Sequence, residues 1–313
     1  MRRLLLTAYG QPPSYQLADV SVPEPGPGEV RIRVQAVGLN PIDAKVARGE
    51  MAQMMPLELP APFASDVAGT VEAIGPGVDS LAVGDAVFGS VQSASSELVV
   101  TDHETVTHRP SDVPLATAAV APMVGLTAAT LMDEVLPGQT AVVIGASGGI
   151  GRFLVPWLAG RGFRVLATGE PGEAARLNAA GADDVVDYRE KDVAAAVAAA
   201  FPGGADLVVD MINQLDGLQR TVPLVRPGGQ LVSTLFGPSA ADLGADITVT
   251  YIRNQSTPQR LATVADALAS GAVSIAAEHW VPIGDAEGVL QQYATGELRG
   301  KVAIQVDPAV EEG

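Results

Sequence analysis

A glycine-rich run near the middle of the chain constrains its fold more than any other segment. The run reads Gly145-Ala146-Ser147-Gly148-Gly149-Ile150-Gly151. It follows an apolar segment with the pattern of a buried strand, over 140–145, and precedes a segment with the pattern of a helix, over 150–161. Glycines at such a junction allow a tight turn and a close approach of the backbone to a pyrophosphate, and the helix N-terminus supplies N–H donors and a positive dipole. The sequence therefore predicts a dinucleotide site at this run.

Strands and helices alternate around the glycine-rich run. Apolar strands are predicted over 163–168, 184–186, 206–210, 230–236 and 247–251, and helices over 116–132, 150–161, 173–180 and 192–201. These strands lack the alternation of apolar and polar residues that a half-exposed sheet shows, so we expect both faces of the sheet to be covered. This order predicts an α/β domain with a doubly wound parallel sheet.

The first hundred residues have a different pattern. Short segments rich in valine and isoleucine recur over 29–37, 67–74, 86–88 and 97–100, and glycine and proline turns separate them. Many short strands joined by such turns predict a barrel-like β domain.

Composition removes several classes of function. The chain has 313 residues, no cysteine and a net charge of −17. A chain without cysteine has no disulfide scaffold, thiolate zinc site or cysteine nucleophile. Its acidity opposes binding to nucleic acids and anionic membranes, and no apolar run approaches the roughly 18 residues of a membrane span. The first residues lose their apolar character at Gly10 and Pro12, which is a poor signal peptide, so we expect a cytoplasmic enzyme.

Further motifs stand in a fixed order along the chain. They are VPEPGPGEV over 22–30, GLNPID over 38–43, ASDVAGTV over 64–71, GDAVFG over 84–89, GLTA over 125–128, GADDVVDY over 181–188 and GK over 300–301. Together with the glycine-rich run they resemble the zinc-free quinone oxidoreductase (zeta-crystallin-like) branch of the medium-chain dehydrogenase/reductase superfamily. The resemblance extends from about residue 23 to residue 306.

The resemblance implies a GroES-like β-barrel domain made of residues 1–115 and 258–313, a Rossmann domain over 116–257, and an active site in the cleft between them. It also implies NAD(P)H-dependent reduction of a quinone or an α,β-unsaturated carbonyl compound. Two alternatives stay open: an enoyl reductase of a polyketide or lipid pathway, and a nicotinamide-binding protein with little turnover. The family further implies a homodimer in which the edge strand over 247–251 pairs with its twin.

The zinc-dependent members of this superfamily use cysteine, histidine and carboxylate ligands. At the corresponding places this chain has Asn40, Ser65 and Asp66, and its three histidines show no ligand spacing. We therefore expect no metal. Without a Lewis acid, hydride must pass to an acceptor that is already electrophilic, and the protein supplies orientation and exclusion of water.

Three residues are candidates for the reaction itself. The resemblance places Asn40 in the cleft, where it can hydrogen-bond the nicotinamide ribose or a substrate carbonyl; the alternative is a turn-forming residue before a proline. Asp43 is a second candidate, and capping of the following helix is its alternative. Lys45 stands where many quinone oxidoreductases have tyrosine, and a lysine there can protonate a forming enolate or hydroquinone. Its alternative is a solvated charge on the helix.

Candidate cofactor and substrate residues follow from the strand ends and from the resemblance. Beyond the glycine-rich run, the cofactor candidates are Thr127, Thr168, Gly169, Arg176, Tyr188, Met211, Phe236, Gly237 and Lys301. The candidates for an apolar substrate wall are Phe63, Phe236 and Tyr251. A position inside a helix is the alternative for Thr127, a surface position for Lys301, and a core position for the aromatic residues.

Charges near the end of the second Rossmann strand bear on the choice of cofactor. Glu170 and Glu173 would repel the 2′-phosphate of NADP, whereas Arg176 would attract it. The family favours NADP, and NAD stays open.

Overall fold

The computed structural model describes residues 1–213, 217–235 and 237–310. In chain order its strands are β1 (Arg2–Ala8), β2 (Ser14–Asp19), β3 (Glu29–Gly38), β4 (Ala61–Pro62), β5 (Asp66–Ile74), β6 (Ala86–Ser90), β7 (Leu98–Asp102), β8 (Val106–His108), β9 (Thr140–Ile144), β10 (Arg164–Gly169), β11 (Asp184–Asp187), β12 (Ala205–Asp210), β13 (Val225–Ser233), β14 (Thr248–Tyr251), β15 (His279–Pro282) and β16 (Val302–Gln305). The helices are α1 (Pro41–Ala47), α2 (Leu115–Val120), α3 (Pro122–Glu134), α4 (Gly149–Gly160), α5 (Ala174–Ala179), α6 (Val193–Ala200), α7 (Leu218–Thr221), α8 (Pro258–Ala269) and α9 (Ala286–Thr295).

The chain forms two compact units. The first unit comprises Met1–Met123, Ser256–Ser270 and Ile275–Gly313, and the second comprises Val124–Gln255 and Gly271–Ser274. The division differs from the boundary at residues 115 and 116 that the sequence predicts. Helix α2 belongs to the first unit because it packs against β3 and β5.

Antiparallel strands build most of the first unit. One sheet has the order β2-β1-β4, and the other has the order β15-β16-β3-β5-β6-β8, with β7 also paired to β3. The side chains of Val30, Ile32 and Val34 alternate along β3 and are almost completely buried. Such a row of β-branched residues on one face stabilises a sheet by packing into the core beneath it. This unit is the predicted GroES-like domain.

A parallel sheet of six strands forms the centre of the second unit. Its order is β11-β10-β9-β12-β13-β14, the 3-2-1-4-5-6 order of a Rossmann fold. Within β9, Ala141 and Val143 join one apolar cluster and Val142 joins another. Both faces of the strand are therefore buried, which explains why its sequence shows no polar alternation. The predicted Rossmann sheet is confirmed.

One predicted helix is two helices in the structure. The apolar pattern over 116–132 predicts one continuous helix, but α2 ends at Val120 and α3 begins at Pro122. Proline has no N–H to donate and disfavours helical backbone in the residue before it, so it commonly occupies the first position of a new helix. None of the helices in the described parts of the chain is long and apolar enough to cross a membrane.

Candidate functional site

The glycine-rich run joins β9 to α4 in the second unit. Gly145 has a φ of +88°, which glycine adopts without strain. Its N–H donates to Oγ1 of Thr168 at 3.1 Å, and the N–H of Ala146 donates to the Thr168 carbonyl at 3.1 Å. Thr168 lies buried near the end of the neighbouring strand β10. These bonds fix the start of the turn to the sheet.

Two glycines of the run have different surroundings. A Cβ on Gly151 would overlap the carbonyl oxygen of Ala146, so this glycine lets α4 pack closely against the turn. Gly148 is the N-cap of α4 and is exposed; a Cβ there would meet only the carbonyl oxygen of Gly145, at 3.4 Å. The open approach at Gly148 and the free N–H groups of the first turn of a 12-residue helix fit a pyrophosphate.

Glycine also shapes the end of β10. A Cβ on Gly169 would lie 2.8 Å from Cδ1 of Leu177, so α5 packs close to this position. Arg176 extends from α5: its Nε donates to the carboxylate of Glu173 at 2.6 Å, and its Nη2 donates to the carbonyl of Ser147 at 3.3 Å. The guanidinium of Arg176 thus bridges the helix and the glycine-rich run.

A second arginine lies at this end of the sheet. The carboxylate of Glu170 accepts from Oη of Tyr188 at 3.2 Å and from Nη2 of Arg189 at 2.9 Å. Each of the two acids that would repel a phosphate is therefore paired with an arginine. Sequence reasoning missed Arg189, although a basic residue directly after the family tyrosine was a visible signal.

The remaining predicted residues of the second unit have varied surroundings. Met211 follows β12 and is partly buried against the apolar core, and Thr127 is buried within α3. A Cβ on Gly237 would lie 2.9 Å from Oη of Tyr251, and that hydroxyl donates to the carbonyl of Pro238 at 2.5 Å. Phe236 lies outside the described residues.

A buried polar cluster forms in the first unit. We define the cluster as Asn40, Asp43, Asp66 and Lys301; Asp43 is partly buried by its exposed fraction, and the other three are buried. Nδ2 of Asn40 donates to Asp66 at 2.8 Å, and Nζ of Lys301 donates to Oδ1 of Asn40 at 2.7 Å. The backbone N–H of Asn40 donates to the carboxylate of Asp43 at 2.7 Å, and Asp66 also accepts from the N–H of Met123 at 2.9 Å.

Burial changes the acidity of both carboxyl groups in the cluster. It raises the pKa of Asp43 to about 7, and the nearby charge of Asp66 adds to this shift. Burial also raises the pKa of Asp66 to about 6, against the opposing effects of Lys301 and of the Asn40 hydrogen bond. Desolvation disfavours a buried carboxylate, and a neighbouring ammonium partly offsets that cost.

The structure relates the first-unit candidates to one another. Asn40 precedes α1, and Asp43 and Lys45 lie on that helix. Asp43 adopts the capping position that was its alternative, since its carboxylate accepts from the N–H of Asn40. Lys301 is 7% exposed, so the surface alternative for it is wrong.

Lys45 and Phe63 lie outside the buried cluster. Lys45 is half-buried on α1, and its ammonium adds to the larger effect of Arg48 in lowering the pKa of the Glu50 carboxyl. Phe63 is buried in the core of the first unit, with its ring centroid 5.3 Å from that of Tyr15. These surroundings match the core alternative for Phe63.

The places of the zinc ligands in related enzymes hold a different arrangement here. Asn40 and Asp66 bond to each other, and Oγ of Ser65 is buried without a hydrogen-bond partner. In the part of the chain that the structure describes, no group of three or more histidine, aspartate or glutamate side chains is arranged to hold a metal ion.

Two family models match the chain. Residues 26–134 match the alcohol dehydrogenase GroES-like domain, and residues 180–304 match the zinc-binding dehydrogenase domain. The first matched segment lies largely in the first unit. The second begins in the second unit and continues into the C-terminal part of the first unit.

Known proteins of similar sequence and structure point to one branch of this superfamily. A quinone oxidoreductase of Pseudomonas aeruginosa is 32% identical over 85% of this chain and 86% of its own length. A mycobacterial protein solved in complex with NADPH is 30% identical, with a TM-score of 0.83 over 98% of this chain and 100% of that one.

A third relative is much larger. A component of the pikromycin polyketide synthase of Streptomyces venezuelae is 37% identical over 69% of this chain, which corresponds to 6% of the synthase component. The likeness is to one segment of that protein. The matching domains, the full-length relatives and the Rossmann order of the sheet agree, and the chain therefore belongs to the quinone oxidoreductase branch of the medium-chain dehydrogenase/reductase superfamily of oxidoreductases.

Proposed function

We propose that this protein transfers hydride from a nicotinamide dinucleotide to a quinone or an α,β-unsaturated carbonyl compound. The observation that carries the proposal is the open turn at Gly148 before α4, in a chain of the quinone oxidoreductase family. When bound, the cofactor supplies the hydride. The residues of this chain bind it, orient it and exclude water from it.

NADP is the cofactor that we propose, with NAD as the alternative. Arg176 and Arg189 supply two guanidinium groups at the end of β10 where the adenosine ribose binds in Rossmann domains. The mycobacterial relative was solved with NADPH, which supports this choice. Glu170 and Glu173 oppose the binding of a 2′-phosphate. Comparison of the Michaelis constants for NADPH and NADH therefore tests which cofactor the protein prefers. A clear preference for NADH would contradict the proposal.

We further propose that the reaction needs no metal ion. One matching family model is described as zinc-binding, but the ligand places contain Asn40, Ser65 and Asp66, and two of these are hydrogen-bonded within the cluster. Asn40 organises the start of α1, and Lys45 on that helix is the candidate proton donor for the enolate or hydroquinone monoanion that hydride transfer produces. In a Lys45→Met variant, we expect the basic limb of the pH–rate profile to change. An unaltered profile would remove Lys45 from this role.

A turnover assay tests the main proposal. Oxidation of NADPH and NADH is followed at 340 nm with a panel of quinones, enals and enoyl thioesters. We expect saturable turnover with at least one quinone or enal. Cofactor binding without turnover on any acceptor would favour the nicotinamide-binding protein instead.

An enoyl reductase is the second candidate, because the polyketide synthase segment is similar over 69% of the chain. The same panel separates the two functions through kcat/KM. An enoyl thioester that exceeds every quinone by more than tenfold would favour the enoyl reductase.

We also propose a homodimer formed along β14. This strand stands last in the order of the parallel sheet, and in this family that edge of the sheet pairs with a second copy. Sedimentation at micromolar concentration should give twice the chain mass, and a monomer would contradict the proposal. A cytoplasmic location stays a prediction from the composition.

A further inference from the structure

The buried cluster of the first unit contains an ammonium group to which sequence reasoning assigned no role within this unit. We propose that Lys301 is a positioning residue for the hydride-transfer reaction: its ammonium is a fixed internal counter-ion that orients the Asn40 amide and, through Asn40, the start of α1. The inference rests on the proposed function, because it concerns the helix that carries the candidate proton donor Lys45.

The charges around Asn40 determine which way its amide points. Nζ of Lys301 is a donor only, so the amide presents its oxygen there, at 2.7 Å. The carboxylate of Asp66 accepts, so the amide presents its NH₂ there, at 2.8 Å. The reverse orientation would direct the NH₂ at the ammonium and the oxygen at the carboxylate. Without the ammonium, only one of these two constraints remains.

The ammonium also balances buried negative charge. Asp66 is 0% exposed and Lys301 is 7% exposed, so water screens neither charge well. Asp43 is the second carboxyl group of the cluster. Burial raises the pKa of the Tyr15 and Tyr293 phenols, and the nearby charge of Asp43 adds to that effect. Removing Lys301 would take away the ammonium that opposes the effect of burial on both carboxyl groups.

The backbone around Lys301 holds the ammonium in place. Gly300 has a φ of +91°, and a Cβ on it would overlap the carboxylate of Glu278. The carbonyl of Lys301 accepts from the N–H groups of Glu278 and His279 at 2.7 and 3.1 Å. This glycine–lysine pair therefore presents the side chain from a fixed point.

Further hydrogen bonds of Asn40 and Asp66 connect Lys301 to two helices. The N–H of Asn40 donates to Asp43, which fixes the first turn of α1. The second oxygen of Asp66 accepts from the N–H of Met123, in the first turn of α3. An altered amide would thus change the position of α1 while leaving the glycine-rich run of the second unit intact.

A Lys301→Met variant tests the proposal, with Lys191→Met as the control because Lys191 is exposed. We expect the kcat of Lys301→Met to fall at least tenfold while the dissociation constant of NADPH stays within twofold of the unmodified protein. Lys191→Met should change neither quantity. Unchanged kcat in Lys301→Met would overturn the proposal. So would NADPH affinity weakened tenfold, which would indicate that Lys301 contacts the cofactor.

Exogenous amines distinguish a counter-ion from a packing residue. In Lys301→Ala, we expect propylammonium to restore kcat several-fold, and tetraethylammonium at equal ionic strength to have no effect because it is too large for the space. Equal effects of the two ions, or none from either, would contradict the role of a specific ammonium.

A stability cycle covers the case in which the single variant folds poorly. The Lys301→Met and Asp66→Asn changes are combined, which removes one charge of each sign. We expect the Tm of the double variant to exceed that of Lys301→Met alone, while its kcat stays at least tenfold low. If the losses of Tm in Lys301→Met and Asp66→Asn simply add in the double variant, Lys301 is not the counter-ion of Asp66. Because the Tm comparison needs no turnover, it tests the counter-ion even if the unmodified protein proves inactive on every acceptor.

Discussion

Single glycines of one short run serve two different purposes. Gly151 provides room for the carbonyl of Ala146 inside the fold, whereas Gly148 leaves the surface of the turn open. Spacing along the chain predicted both glycines as cofactor residues. Only the surroundings of each Cβ position separate the residue that the fold needs from the residue that a ligand needs.

A Gly148→Val variant should therefore lose cofactor affinity without losing stability. Its backbone, with φ −75° and ψ 172°, is extended and suits valine, and no atom of the fold lies closer than 3.4 Å to the new Cβ. The side chain would fill the space next to the helix N-terminus where the pyrophosphate is expected. We expect the dissociation constant of NADPH, measured by fluorescence titration, to rise at least tenfold with Tm within about 2 °C. Unchanged affinity would refute the location of the site.

The two acids at the end of β10 should limit the preference for NADPH. In Glu173→Gln, Arg176 loses its carboxylate partner and becomes available to a phosphate. We expect the KM for NADPH to fall roughly threefold, the modest size that exposed charge interactions allow, and the KM for NADH to stay constant. Glu190→Gln, at an exposed acid, is the matched control. An equal change for both cofactors would show that Glu173 does not act on the 2′-phosphate.

Sequence reasoning identified Asn40, Asp43 and Lys301 separately but not their contacts. The residues lie far apart in the chain, and the hydrogen bond between Lys301 and Asn40 spans 261 positions. No periodicity or spacing reports such a pair. The pKa of Asp43 depends on burial and on the Asp66 charge, and both are consequences of the tertiary fold.

At the level of helices and strands, the sequence predicted the parts that have strong local signals. The strands of the Rossmann sheet are short β-branched runs between turns, and five of the six lie within one residue of the predicted bounds. The exception is β13, predicted over 230–236 and found over Val225–Ser233. The break between α2 and α3 was missed because the apolar pattern continues across it, although Pro122 was the local signal. The assignment of α2 to the first unit depends on packing against β3 and β5, which lie far away in sequence.

Two glycines of α4 should respond in opposite directions to alanine. Gly151→Ala forces a Cβ against the carbonyl of Ala146, and we expect a loss of about 1–3 kcal/mol in the free energy of unfolding. Apart from its own helix backbone and chain neighbours, no atom lies within 4 Å of the Cβ position of Gly160, so Gly160→Ala should stabilise the protein by up to about 1 kcal/mol. Urea unfolding of both variants measures the difference. Similar effects at the two positions would contradict the close packing of α4 on the turn.

The acidity of the whole molecule has two separate consequences. Its 36 acidic residues outnumber its basic residues and give a net charge of −17. This charge opposes the binding of polyanions but not the binding of a dinucleotide. A dinucleotide is held by backbone N–H groups, a helix dipole and local arginines, so the local field differs from the net charge. Two acids, Asp43 and Asp66, instead lie in the buried cluster, where they make stability depend on pH.

The first unit should be more stable at pH 5 than at pH 8. Asp43 and Asp66 have pKa values of about 7 and about 6 in the folded protein, against an ordinary value of 3.8. Between about pH 4 and pH 7 the folded state therefore binds more protons than the unfolded chain, so the free energy of unfolding falls as the pH rises. Because a tenfold change in proton affinity on folding corresponds to about 1.4 kcal/mol, the loss should amount to a few kcal/mol.

The two tryptophans allow this loss to be assigned to one unit. Trp280 lies in the first unit and Trp157 in the second, so a Trp157→Phe variant reports the unfolding of the first unit in urea by fluorescence. In that background Asp43→Asn should reduce the dependence on pH, because an amide does not titrate and only the contribution of Asp66 remains within the cluster. Asp19→Asn, at an exposed acid, should retain the dependence on pH and control for the change in net charge.

Asp206 does not contribute to the loss of stability between pH 5 and pH 8. Hydrogen bonds from Arg226 and other donors outweigh burial there and lower the pKa of its carboxyl group. Stability that is flat or rises from pH 5 to pH 8 would contradict the buried, proton-binding cluster.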